Sequence, residues 1–283
     1  MHTELTRLAR EFEWRIQDLA TQESGSRLWM LHTRTPEASI YSDATWQETD
    51  ELLDESWWYL TRNQIIKKTL DRSGVHGPIW DIGCGSGVVA RFLNDQGLAT
   101  VGVEPSFGGA QLTSRRGVTA VCGSLEGLVL PDESLEAVAM FDVLEHLKDR
   151  DSAIQEIRRV LKPNGHLILT LPALKILWSE FDETGGHYLR YNRSTIRKEL
   201  ESHGFRVRSM GYFFASTVLP LLVLRVLPYR LGRRKAIATE SSLGSSGGAL
   251  GRLASRIEVL LASRVPFGSS LIVVAERHDR MTV

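Results

Sequence analysis

The chain has 283 residues, 42% hydrophobic and 24% charged, with 34 basic residues matched by 34 acidic ones. That length and balance suit one sizeable buried core with room for a small appended part. Zero net charge supplies no global field toward nucleic acid or acidic partners, and two distant cysteines, Cys84 and Cys122, form neither a disulfide framework nor a metal-ligand pattern.

The first residues, MHTELTRLAREFEWRIQDLA, set Leu5, Leu8, Phe12, Ile16 and Leu19 at helical spacing among charges. They lack the apolar run of a secretory signal, so the expected location is cytoplasmic. Further on, DELLDESWWYLTRNQIIKKTLDRSG puts Leu53, Trp57, Leu60 and Ile65 near one face, and Gly74 follows its end. Residues 1–74 therefore read as a helical N-terminal cap.

From residue 75 strands alternate with helices. PIWDIG is a strand and VVARFLNDQG a helix; ATVGVE is a second strand and GGAQLTSRRG a short helix. VTAVCG and EAVAMFD are the third and fourth strands, RDSAIQEIRRVLKPNG a helix stopped by Pro163-Asn164-Gly165, and HLILTLP the fifth strand. SEFDETGGHYLRYN is polar and reads as a loop at the sheet's edge. The helix STIRKELESHG, the strand FRVRSM and a last strand in PFGSSLIVVAER complete the pattern. The expected fold is α/β: a Rossmann-like, doubly wound, mainly parallel seven-stranded sheet with helices on both faces. Its core is 75–211 plus 265–283, and 212–264 is an apolar helical insertion before the last strand.

The turn after the first strand, Asp81-Ile82-Gly83-Cys84-Gly85-Ser86-Gly87, is where backbone can approach a ligand at a helix N-terminus. Its spacing alone would also admit a dinucleotide, because Gly85 to Ala90 satisfies G-x-G-x-x-G/A. Charge discriminates. Asp81, Glu104, Asp142 and Glu145 fall at the carboxyl ends of strands, and no lysine or arginine occurs between Gly77 and Val89. Such a rim repels a pyrophosphate and attracts a ligand with a sulfonium and an α-ammonium. Unit charges about 4 Å apart interact by roughly 4 kcal/mol at an effective dielectric near 20. S-adenosylmethionine has both cations and no phosphate.

The D-x-G-x-G-x-G turn, VGVEPS, FDVLEHL and LKPNGHLILTLP, in this order, resemble the class I S-adenosylmethionine-dependent methyltransferases of the type 11/12/23 group. The resemblance runs from about Ser56 to Gly211 and resumes at Pro266. It implies a methionine pocket shaped by Asp81, Gly83, Cys84, Gly85 and Gly87, with Glu104 and Pro105 at the ribose and Phe141 and Asp142 closing from strand four. After strand three the family's aspartate is replaced by Gly123-Ser124-Leu125-Glu126, so Ser124 and Leu125 are the expected adenine contacts, with Glu126 reaching in as the alternative acceptor. SWWYLTRN resembles the first helix of methyltransferases of polysaccharide and lipid-linked glycan biosynthesis, which puts Trp57, Tyr59 and Arg62 on the acceptor side.

Two histidines are placed for acid–base work on an acceptor. His146 follows Glu145 beyond strand four and reads equally as a residue bonded to backbone; His187 lies in the polar stretch GGHYLRYN, flanked by Asp182, Arg190 and Tyr191 as acceptor-side residues. No metal is expected, because adjacent Glu145 and His146 would diverge on a helix. The segment YFFASTVLPLLVLRVLPYRL has a membrane span's length, but Pro220, Pro228 and Arg225 interrupt it. With Arg230, Arg233, Arg234 and Lys235 beyond, 212–235 reads as a lid, a homodimer surface or a peripheral membrane contact. The expected function is methyl transfer to a small-molecule, glycan or lipid-linked acceptor, at oxygen before nitrogen or carbon, with no nucleic acid as partner. A nicotinamide-dependent oxidoreductase and a non-catalytic binding module are the alternatives.

Overall fold

Short apolar runs ending in Gly or Asp, each followed by an amphipathic segment, give strands that must be covered on both faces. In the computed structural model, which describes residues 20–23, 25–31, 56–232 and 249–278, they do so around one nine-stranded sheet. The strands are β1 (Ala20–Gln22), β2 (Leu28–Leu31), β3 (Ile79–Ile82), β4 (Thr100–Glu104), β5 (Thr119–Cys122), β6 (Leu135–Phe141), β7 (Leu161–Pro172), β8 (Phe205–Phe213) and β9 (Ser270–Arg277). Their spatial order is β1-β2-β5-β4-β3-β6-β7-β9-β8. From β2 to β7 all neighbours are parallel, while β9 runs antiparallel to β7 and β8.

All seven expected strands are present. The sheet has two more, and they correct the reading of 1–74 as wholly helical. β1 and β2 form an antiparallel hairpin, and β2 adds in parallel to β5, with Leu28 opposite Ala120 and Met30 opposite Cys122. Only a partner nearly a hundred residues away makes so short an apolar run a strand. The helical periodicity of residues 1–19 and the segment 32–55 lie outside the described residues.

The helices are α1 (Trp57–Ser73), α2 (Val88–Asp95), α3 (Phe107–Arg115), α4 (Arg150–Val160), α5 (Glu180–Thr184), α6 (Arg193–Ser202), α7 (Val218–Leu221), α8 (Leu227–Arg230) and α9 (Ala249–Leu261). Ile65, Ile66 and Leu70 of α1 are buried on one sheet face with Leu93 of α2 and Ile272 of β9. Each such side chain contributes about 1.5–3 kcal/mol on burial. Ile154, Ile157 and Val160 of α4 and Ile196 and Leu200 of α6 cover the other face.

Three further expectations change in detail. The stretch 179–192, expected as a loop at the sheet's edge, holds α5, whose Ser179 and Asp182 form a capping box; Tyr191 then bridges to Ala173 beside β7. β8 runs to Phe213, two residues into the expected insertion. Pro220 and Pro228 do not disperse their segment. α7 and α8 are joined by a π-helical turn, Leu222–Val226, so the chain stays helical from 218 to 230. Pro220 falls in the first turn, where its missing N–H has no intrahelical partner to lose. Pro228 cannot donate to the carbonyl four residues back, and the turn widens just ahead of it. No helix among the described residues is long and apolar enough to cross a membrane. Arg233, Arg234, Lys235 and the Ser/Gly stretch lie outside the described residues.

Candidate active site

A cavity of about 840 Å³ opens at the carboxyl ends of β3, β4, β6 and β7, bordered by the turns that follow them and by α1 and the 218–230 helix. Parallel strands leave their binding crevice there.

The β3–α2 turn forms one wall. Gly83 has φ +72 and a Cβ there would meet Val143 at 2.7 Å; Gly87 has φ +79 and would meet the Thr113 side chain at 2.7 Å. Both positions combine left-handed backbone with close approach, so a side chain is refused twice. Asp81 is 1% exposed and its Oδ1 has no hydrogen-bond partner. Burial is the main cause that pushes its carboxyl up, to about 8, with nearby Glu104 adding to it and Arg62 opposing.

Glu104, at the end of β4, is arranged differently. Its Oε2 accepts from Gly85 N at 3.0 Å and its Oε1 from Ser106 N at 2.9 Å. Burial still pushes it up, against those backbone donors. The side chain thus ties the glycine turn to β4 while its remaining lone pairs can accept from hydroxyls. Ser106 also caps α3, accepting from Gly109 N at 3.2 Å. Cys84 packs its sulfur 3.5 Å from Thr113 Oγ1, and burial raises the thiol well above its usual range.

Pro105, Ser124, Leu125, Phe141 and Asp142 all border the cavity. Ser124 Oγ accepts from Gly127 N at 3.3 Å, so the residue that replaces the family's aspartate already caps a turn. Asp142 sits at φ +57, a strained position for a non-glycine residue. Its Oδ2 accepts from Arg62 Nη1. Arg62 lies over the Trp58 ring at 4.6 Å and the Tyr59 ring at 5.1 Å. Carboxyl groups do gather at the glycine turn, but burial pushes Asp81 and Glu104 toward their neutral forms, and α1 delivers a cation to the far end of the rim. Trp57 and Trp58 pack on Phe214, with ring centroids 5.4 and 5.6 Å apart, so these aromatics both wall the cavity and belong to the core.

The opposite wall comes from the turns after β6 and β7. His187 Nδ1 lies 2.9 Å from Asp182 Oδ1, and Arg190 Nε donates to the same oxygen at 2.7 Å. Burial pushes Asp182 up, but these partners outweigh it and hold the carboxyl below its ordinary value. Arg190 Nη1 also donates to Ala173 O at 3.2 Å. His146 meets His187 edge-on, centroids 4.6 Å apart. Burial, then the neighbouring His187, lowers the His146 imidazole to about 4, so it is neutral at pH 7.

Two expected acceptor-side residues do not reach the cavity. Tyr191 is 0% exposed, packed in the sheet's core with a hydroxyl that finds no partner. Asp182 is fully buried behind His187 and Arg190, and acts through them. Among the lining residues not expected as site residues are Phe181, Tyr188 and Arg225, and Glu145, which was expected only as one acid of the rim. Arg225 stacks over Phe181 at 4.8 Å. Only Glu145 carried a usable signal, its place three residues after Asp142.

Residues 80–169 match the family model described as a methyltransferase domain. A probable S-adenosylmethionine-dependent methyltransferase of Mycolicibacterium smegmatis is 28% identical over 60% of this chain and 68% of its own length. Residues 80–169 thus carry a methyltransferase domain, and together these likenesses support a class I S-adenosylmethionine-dependent methyltransferase. A ubiquinone biosynthesis O-methyltransferase of Bradyrhizobium diazoefficiens is 29% identical over 36% of this chain and 42% of its own. Against the curated relatives it matches first, the chain spans between about half and two thirds of their length. Among solved structures, a SAM-dependent methyltransferase of Thermotoga maritima shares the fold, with a TM-score of 0.57, 19% identity, and 83% and 97% of the two chains covered.

The methyltransferase's residues fit that cofactor. The unpartnered Asp81 Oδ1 lacks a donor that an α-ammonium supplies, and the glycine cradle admits a ligand against backbone. The nicotinamide alternative is set aside with this result.

Proposed function

We propose that this methyltransferase methylates an oxygen of a small-molecule, glycan or lipid-linked acceptor held between the β6 and β7 turns and the 218–230 helix. The observation that carries this reading is the Asp182–His187 pair on the cavity wall facing the glycine turn. Asp182 takes Nδ1 of His187, which leaves Nε2 as the nitrogen free to receive a proton from an acceptor hydroxyl.

S-adenosylmethionine supplies an electrophilic methyl on a sulfonium whose charge is lost on transfer. The chain's own part is to hold and to dry. On the cavity lining Glu104 would hold the ribose end and Ser124 and Leu125 the adenine, while Trp57, Trp58 and Phe141 exclude water beside the strand ends; Asp81, buried just behind that lining, would hold the amino-acid end. Arg62, Tyr59 and Arg190 would orient the acceptor.

An acceptor with an apolar tail is favoured by the 218–230 helix. Leu221 and Arg225 border the cavity, while Leu219 and Leu224 of the same segment are 68% and 62% exposed. Such a face suits peripheral contact with a membrane or a lipid carrier; liposome flotation that does not change on deleting 218–230 would retire that part.

The decisive test is titration with S-adenosylhomocysteine followed by turnover on an acceptor panel. His187→Ala should cut turnover by about 10²–10⁴ while leaving cofactor affinity in place. Unchanged turnover would overturn its role. Binding without turnover on any acceptor would favour the non-catalytic module instead.

A further inference from the structure

Glu145 is a buried acid at the edge of the cavity. It is 1% exposed, and neither carboxylate oxygen has a hydrogen-bond partner among the described residues. A buried carboxylate in that state costs several kcal/mol unless something compensates it. The two guanidiniums nearby do not bond it. Arg62 is taken by Asp142, and Arg190 by Asp182 and the Ala173 carbonyl.

Beside it stand two imidazole nitrogens able to act as ligands. His146 Nδ1 is buried and unpartnered. His187 is held through Nδ1 by Asp182, so Nε2 is the nitrogen it can offer. One ligand atom from each of Glu145, His146 and His187 lies within 4.8 Å of the others. The loops that carry them are joined, since Tyr188 N donates to Glu145 O at 2.8 Å. Adjacent residues alone would diverge, as spacing implied. Convergence comes from the third ligand, brought from the turn after β7.

We propose that Glu145, His146 and His187 form a binding site for a first-row divalent cation on the acceptor wall of the cavity. Two imidazoles and one carboxylate are a donor set for zinc, iron(II), cobalt or manganese, with coordination positions left open toward the cavity. The Asp182–His187 bond has the form of an outer-shell contact, a carboxylate fixing the tautomer and orientation of a ligating histidine. Ligand atoms of a tetrahedral site lie roughly 3.3 Å apart at zinc–nitrogen bonds of about 2.0–2.1 Å, so the three side chains need only close inward.

The site deepens the acceptor reading, and only its role rests on that reading. With the cation bound, His187 Nε2 is a ligand rather than a proton acceptor. An acceptor hydroxyl entering an open position is then made more acidic by the cation. The acceptors selected are those whose oxygen can join a coordination sphere.

Cation binding is measured without cofactor or acceptor. The full chain, stripped with a chelator, is titrated with Zn²⁺ against a chromophoric chelator and with Co²⁺ by visible absorption. One equivalent per chain, with the ligand-field bands of histidine-bound cobalt, is expected. Glu145→Gln and His187→Ala should each weaken binding at least tenfold, and Asp182→Asn about 10–100-fold. Unchanged S-adenosylhomocysteine affinity in the same variants certifies that they are folded. Absence of stoichiometric binding by the native chain, or binding indifferent to both ligand substitutions, overturns the site. Failure of the native chain to bind S-adenosylhomocysteine would count against the cofactor reading and leave the metal titration to decide its own question.

Discussion

Two glutamates on opposite walls of one cavity are buried to similar depth and treated in opposite ways. Glu104 has both oxygens satisfied by backbone N–H groups of the turns it holds together; Glu145 has neither satisfied among the described residues. The first is part of a preformed cradle, rigid because its donors are main chain. The second stands at the same depth of burial with no donor placed for it among the described residues. The cofactor wall is thus built by local backbone geometry, and the acceptor wall by side chains from distant turns.

The strongest way to break that contrast is to remove Glu104. Glu104→Ala strips the ribose acceptor and orphans Gly85 and Ser106 N–H groups. S-adenosylhomocysteine affinity by calorimetry should fall by about 10²–10³, since each bond to a charged group contributes about 1.5–3 kcal/mol. A loss under threefold would mean the cradle does not depend on it.

Arg62 joins the two walls, so Arg62→Ala leaves Asp142 unpaired at a strained position. Stability in urea should drop by about 2–3 kcal/mol, while Arg62→Lys, which keeps charge but not the stack on Trp58 and Tyr59, should lose less.

Asp81 gives a pH signature confined to the cofactor wall. Its carboxyl stands at about 8 in the free chain, and a cationic ligand needs it ionised. S-adenosylhomocysteine affinity should rise about tenfold per pH unit between 6 and 8 and flatten above, with one proton released at pH 6. The stability sign is opposite. A folded value above the unfolded one, near 3.9, means the folded chain binds more protons, so Asp81's contribution declines as pH rises from about 4 to about 8. A pH-independent affinity in Asp81→Asn would confirm the source.

The smallest effect serves as the reference for the rest. Lys67 pairs with Asp71 one turn away on α1, outside both walls. Lys67→Ala should change stability by no more than about 0.5 kcal/mol and leave cofactor affinity alone; a larger shift would show that α1 transmits strain to the site.

Local chemistry made the cofactor wall legible. Glycines at positive φ, an acid ending each of two strands and a serine cap lie within a few residues of one another, so their spacing encodes their geometry. The seven central strands were equally visible, because buried parallel strands read as apolar runs between helices. Long-range pairing hid the rest. Leu28–Leu31 becomes a strand only because β5 offers it an edge, and Tyr191 turns into the core because its backbone bridges to Ala173.

By itself the sequence determined a methyltransferase sheet with a glycine turn flanked by carboxyl residues, since those properties follow from neighbouring residues and the period of burial. Only the tertiary structure decided that Arg62 crosses to Asp142, that Asp182 stands behind His187, and that Glu145, His146 and His187 converge. The reason is distance along the chain: a contact between turns after different strands depends on how the sheet brings them together, which no local spacing records.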